Sequence, residues 1–196
     1  MSIATSQTVI RNHIVTFKHY SKDYLEKIGQ EAARYGYSQP TFILMRGISG
    51  AGKSCAAHSI LDANPYEREI LKASADDYFI GEDGEYRFDG RLIGEAHNSC
   101  MEAFEAGISN GVDIILDNTN VKQEHMLPYI VAAYDAGYYI QIVELTPPLY
   151  LPEGFEDRNL HGTPRHALER QLYGWERLDT FLLEMVSVYH VLPICH

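Results

Sequence analysis

Short apolar runs alternate with longer stretches of helical periodicity through most of this chain. Thr41-Phe42-Ile43-Leu44-Met45 is a β-rich run that follows Pro40 and precedes a glycine-rich segment, which predicts a buried strand. A second run, Glu69 to Ala75, leads into Asp76-Asp77; a third, Val112 to Leu116, leads into Asp117-Asn118-Thr119-Asn120. A fourth strand is expected from Tyr138 to Leu145, closed by Thr146-Pro147-Pro148. Between these runs the spacing becomes helical. Cys55 to Leu61 continues as a helix after the glycine segment. Arg91 to Asn110 places Ile93, Ala96, Met101, Phe104 and Ile108 at helical spacing before Gly111 stops it, and Lys122 to Ala136 ends at Gly137. A last long helical stretch after Pro164 carries Leu168, Leu172, Trp175, Leu178, Phe181 and Leu182. Strands alternating with helices of this length predict an α/β fold, a parallel sheet flanked by helices on both faces.

Before the first strand, Lys22 to Tyr35 spaces Tyr24, Leu25, Ile28, Ala32 and Tyr35 as an amphipathic helix, which Gly36 and Pro40 end. The chain is therefore divided into residues 1–39, an N-terminal helical extension, and residues 40–196, the α/β domain. At 196 residues with 45% hydrophobic and 22% charged positions, one packed domain with this appendage is expected. Three scattered cysteines, Cys55, Cys100 and Cys195, fit a reducing cytoplasm without disulfides or a zinc cluster, and Cys195-His196 reads as a solvated tail. No apolar run approaches bilayer length, so no membrane association is expected. The net charge of −11 argues against a broad basic face for a long nucleic-acid tract. It favours a small substrate, or a nucleic-acid end rather than a long tract.

The glycine segment Gly47-Ile48-Ser49-Gly50-Ala51-Gly52-Lys53-Ser54 changes the picture most. It fits G-x-x-x-x-G-K-[ST] between a strand and a helix, the context in which the pattern is physically meaningful. Gly47, Ser49, Gly50, Ala51, Gly52, Lys53, Ser54 and Cys55 would turn backbone N–H groups and a helix N-terminus toward the phosphates of ATP. Lys53 would reach the β- and γ-phosphates, and Ser54 would hold Mg²⁺. In a parallel sheet, ligands lie beyond the carboxyl ends of the strands. Asp117 suits a Mg²⁺ contact, and Asp76 stands where an acceptor hydroxyl loses its proton; Asp77 reads equally as a helix cap. In the polar link Glu156 to Arg165, Arg158 and Arg165 are positioned to close over the triphosphate, whereas His161 has no evident partner and reads as a surface residue. Tyr78, Phe79, Tyr86, Phe88 and Arg91 fall on the acceptor side, either to stack a base or sugar or to pack a small lid.

Several of these segments together resemble the P-loop kinases of the polynucleotide 5′-hydroxyl kinase type, in particular the NEDD4-binding protein 2-like family. They are Arg46 to Ser54, Ser74 to Phe79, Glu82 to Phe88, Glu95 to Asn98, Leu116 to Asn120 and Arg158 to Gly162, covering Thr41 to about Arg177. The resemblance implies an adenylate-kinase-like P-loop NTPase fold and ATP-dependent phosphoryl transfer to a hydroxyl. Asp76 would be the general base, Lys53 and Ser54 the triphosphate and Mg²⁺ residues, and Arg158 a lid arginine. Two positions depart from the viral polynucleotide kinases: Phe79 stands where they carry an arginine, and a second lid arginine would fall near Gly162, so that Arg165 or Arg170 must substitute. The acceptors left open are a nucleic-acid end, a nucleotide or a hydroxylated DNA base. A small-metabolite or nucleotide-sugar kinase of the zeta-toxin type, or an ATP-binding interaction module without catalysis, are the alternatives.

Overall fold

The computed structural model describes His13–Ile14 and residues 39–62, 69–159 and 161–191. The expected helix Lys22 to Tyr35 and the Cys195-His196 tail lie outside the described residues. Among the described residues six strands form one parallel sheet: β1 (His13–Ile14), β2 (Thr41–Arg46), β3 (Ile70–Ala73), β4 (Asp113–Asp117), β5 (Tyr139–Leu145) and β6 (Ser187–Val191), in the spatial order β1-β6-β5-β2-β4-β3. Five described α-helices accompany it: α1 (Lys53–Asp62), α2 (Ile93–Asn110), α3 (Gln123–Asp135), α4 (Arg165–Tyr173) and α5 (Thr180–Met185). None of the described helices is long and apolar enough to cross a membrane.

β2 is buried along its whole length, so it carries no polar alternation and pairs on both sides, with β4 and β5. Its side chains nonetheless alternate between two cores. Ile43 and Met45 pack with Ile115, Val143 and the α1 residues Ala56, Ala57 and Ile60. Phe42 and Leu44 pack on the other face with Phe104 of α2, Met126 and Ile130 of α3, and Leu182 of α5. Phe104 meets Phe42 and Tyr129 edge-on, each at 5.0 Å between ring centroids. The approach of α2 to β4 needs Gly107, where a Cβ would fall 2.8 Å from Ile114 Cδ1.

The four expected strands and the helices between them are present, with ends shifted by a residue or two. The C-terminal region differs. The single long helix expected after Pro164 is two short ones, separated by Gly174 to Asp179, and the chain then returns to the sheet as β6. Asp179 caps α5 by accepting from Leu182 N–H at 2.9 Å. The β-branched and aromatic residues Val188, Tyr189 and Val191 carry the strand signal that helical periodicity upstream concealed.

Arg46, the last residue of β2, is completely buried. Its Nε donates to the Asn120 carbonyl at 2.9 Å, and Nη2 donates to the carbonyls of Val121 at 3.0 Å and of Glu176. Nη1 pairs with Glu144 Oε2 of β5 at 2.5 Å, and the guanidinium lies 4.0 Å from the centroid of the Trp175 ring. Glu144 also receives His190 Nδ1 of β6 at 3.1 Å. Burial alone would raise the Glu144 carboxyl, but the His190 and Arg46 partners hold it below the usual carboxylate range.

Replacing Glu144 by Gln leaves the buried guanidinium without its counter-charge and is expected to cost about 3 kcal/mol in urea unfolding at neutral pH. Because the folded carboxyl titrates below its unfolded value of about 4.3, its contribution is intact above that pH. It is lost as pH falls through the lower folded value. An acid-side loss of stability in the wild type that E144Q does not share is the expected signature.

Candidate active site

The carboxyl ends of β2, β3 and β4, three neighbouring strands, open onto one cavity of about 750 Å³. The glycine loop forms its floor. Gly50 and Gly52 have φ of +77° and +93°, left-handed conformations that favour glycine. The loop is tied down at its root, where Gly47 N–H donates to the Thr119 carbonyl at 3.0 Å. It is also held near its middle by Gln171 of α4, whose Oε1 accepts from Ser49 N–H at 2.7 Å.

Lys53 lies half-buried at the start of α1, with its Nζ donating to the Ile48 carbonyl at 3.2 Å. Desolvation lowers its pKa below the ordinary lysine value, while the charges of Asp117 and Asp76 oppose that shift. Asp117 ends β4 and is buried, and its Oδ1 has no hydrogen-bond partner. A buried carboxylate oxygen without a partner costs free energy unless a ligand fills the place. Ser54 lines the same cavity. Among the described residues no group of three His, Cys, Asp or Glu side chains is arranged to hold a metal. Mg²⁺ takes one or two protein oxygens and is completed by phosphate and water, and the unpartnered Asp117 oxygen and the Ser54 hydroxyl are donors of the kind it takes.

Asp76 lies on a short 3₁₀ turn, Ala75–Phe79, capped by Ser74, and lines the cavity. Its side chain is 53% exposed. Tyr86 donates its hydroxyl to Asp76 Oδ1 at 3.2 Å, and His161 Nε2 stands 3.9 Å from Oδ2. The Tyr86 and His161 rings pack with centroids 4.2 Å apart. Desolvation, with the Asp76 carboxylate second, raises the Tyr86 hydroxyl well above its usual range. His161, expected as an isolated surface residue, thus lines the cavity beside Asp76 and Tyr86. The sequence offered no signal for it, because its partners come from a segment some 75 to 85 residues earlier.

The aromatics divide. Phe79 is buried beneath Tyr78, Tyr86 and Phe88, with ring centroids at 5.5, 6.1 and 5.0 Å, as the core of a small turn closed by the Ile80–Tyr86 bridge. Phe79, Tyr86 and Phe88 line the cavity. Tyr78 turns away to Glu95 at 2.8 Å, Arg91 is held by Asp89, and Asp77 pairs with Lys72 at 3.3 Å.

The arginines divide as well. Arg158 lines the cavity, 5.3 Å from the Phe155 ring, and no hydrogen bond or ion pair engages its guanidinium among the described residues. Arg165 is occupied elsewhere: it donates to the Pro152 and Leu151 carbonyls and pairs with Glu156 at 2.9 Å and Glu169 at 3.4 Å. Arg170, one turn along α4, lines the cavity instead. Of the loop residues, Ser49, Gly50, Gly52, Lys53, Ser54 and Cys55 line it, whereas Gly47 and Ala51 support it from behind.

A family profile described as AAA domain matches residues 42–178. The chain belongs to this family of P-loop proteins. NEDD4-binding protein 2 of Homo sapiens is 37% identical over 150 residues, which cover 74% of this chain and 8% of that protein. The chain thus spans under a tenth of the length of this curated relative. A chain in the Pnkp1/Rnl/Hen1 RNA repair complex superposes with a TM-score of 0.54 at 17% identity, over 69% of this chain and 44% of that one. The fold is therefore that of the P-loop kinase-like proteins, with the sheet and flanking helices expected from the sequence.

Gly50 combines a left-handed backbone with a close neighbour. A Cβ there would sit 3.3 Å from Phe155 Cε1 in a backbone conformation costing an L-residue roughly 1–2 kcal/mol. Gly50→Ala is expected to lower the melting temperature and to weaken nucleotide binding at least tenfold, both readable in a thermal shift titration with ATP.

Proposed function

We propose that this protein is an ATP-dependent kinase that transfers the γ-phosphoryl group to a hydroxyl acceptor: a nucleic-acid 5′-hydroxyl, a nucleotide or a hydroxylated base in DNA. The observation carrying this reading is that one cavity is lined both by a phosphate loop and by an open carboxylate, Asp76.

In this reading the loop N–H groups and the α1 N-terminus hold the triphosphate, and Lys53 balances charge on its outer oxygens. Ser54 and Asp117 would hold Mg²⁺, which would supply neutralising charge to the phosphates. Asp76 accepts the acceptor's proton as its oxygen attacks the γ-phosphorus; the bond to the bridging oxygen breaks and ADP leaves. Tyr86 restrains Asp76 through Oδ1, and His161 Nε2 stands 3.9 Å from Oδ2. Arg158 and Arg170 approach from the lid side and stabilise the charge that spreads over the transferring group.

Asp76→Asn is expected to cut phosphoryl transfer by roughly 10²–10⁴-fold while leaving ATP affinity within about twofold. The measurement is γ-labelled ATP with a panel of 5′-hydroxyl RNA and DNA, hydroxymethylated DNA, nucleosides and sugar nucleotides. Transfer only to small acceptors would move the protein to the metabolite-kinase class that its acidic charge favours. ATP binding without transfer to any acceptor would overturn the kinase reading.

The two lid cations are distinguished by a second comparison. Arg170→Ala and Arg158→Ala are expected to lower kcat by 10-fold or more with small effects on melting temperature. Arg165→Ala, which loses two carbonyl and two carboxylate partners, should lower stability by about 1–2 kcal/mol and act on kcat less.

A further inference from the structure

Gln171 holds Ser49 by both of that residue's polar groups. Its Oε1 accepts from the Ser49 backbone N–H at 2.7 Å, and its Nε2 donates to Ser49 Oγ at 3.1 Å. A backbone N–H can only donate, so the amide must turn its oxygen to that group and its nitrogen to the hydroxyl. Ser49 Oγ is thereby an acceptor in this pair, and its own hydrogen is free for a different acceptor. Both side chains line the cavity, and phosphoryl oxygens are acceptors only.

The place of the contact decides which phosphoryl group is involved. The inner phosphates of a nucleotide belong to the later loop amides and the helix N-terminus beginning at Lys53. Ser49 lies at the earlier end of the loop, where α4 closes on it with Arg170 adjacent in sequence. A hydroxyl facing that side meets the terminal group.

We propose that Gln171 is a positioning residue that turns the Ser49 hydroxyl into a donor to the terminal phosphoryl group, so that the site tells a nucleoside triphosphate from a diphosphate through an amide carried on α4. The catalytic meaning of this contact rests on the kinase reading above. Its effect on binding requires no acceptor.

The test is calorimetric titration of the full chain with ADP and with a non-hydrolysable ATP analogue, both with Mg²⁺, alongside melting temperatures. The variants are S49A, Q171A, Q171E and the doubles S49A/Q171A and S49A/Q171E. S49A and Q171A are each expected to lose about tenfold in triphosphate affinity while diphosphate affinity barely moves. The double should lose no more than either single, because one hydrogen bond is removed in all three. Glu at position 171 keeps both contacts but only as acceptor, which draws the Ser49 hydrogen onto its carboxylate. Q171E should therefore lower triphosphate selectivity when Ser49 is present, and much less in the S49A background, where only its added charge remains. Losses that multiply in S49A/Q171A, or equal losses for both nucleotides accompanied by falling melting temperature, would overturn the proposal and leave a structural clamp. Intact triphosphate selectivity without phosphate transfer to any acceptor would instead overturn the kinase reading and support this one.

Discussion

A single buried guanidinium organises the glycine-loop side of the cavity. Removing Arg46 from water would be prohibitive without compensation, and the fold answers with Glu144, three backbone carbonyls and the face of Trp175. Those partners come from β5, from the segment after β4 and from the link between α4 and α5. One cation thus joins the ends of three elements that are remote in sequence. Arg46 directly precedes Gly47, so the root of the phosphate loop is anchored by the same network. Asn120 contributes from the other side, donating to the Met45 carbonyl at 2.8 Å while its own carbonyl accepts from Arg46. It does so with φ of +47°, a conformation that asparagine tolerates better than most residues.

The cavity built on this anchor has two walls of different character. Its floor is pinned by hydrogen bonds to Thr119 and Gln171 and adjoins the buried Asp117, which suits a phosphate chain of fixed geometry. The part lined by Asp76, Tyr86, His161 and Phe88 is more exposed and comes from a small turn and the link before α4.

How legible this was depended on the distance over which the information lies. The loop, the four main strands and the placement of Asp76 and Asp117 at strand ends follow from local pattern. The choice between Arg165 and Arg170 does not. On α4 the cavity face carries His166, Ala167, Arg170, Gln171 and Gly174, while Arg165 pairs with Glu169 about 100° further round. Periodicity shows that such a helix has faces; packing decides which one meets the ligand. The same applies to Gln171, an ordinary polar residue until α4 rests on the loop. β6 was hidden because Leu178, Phe181 and Leu182 extend a helical spacing almost to its start.

From the order of residues alone came the phosphate loop, the alternation that requires a parallel sheet and the carboxylates that follow its strands, since each is encoded within a few consecutive positions. The burial of Arg46, the pairing of Tyr86 and His161 at Asp76, the rejection of Arg165 from the cavity and the grip of Gln171 on Ser49 arise only on folding. Each brings together groups between about ten and 130 positions apart. No local pattern records such a meeting, because the free energy that selects it belongs to packing and desolvation shared among several elements.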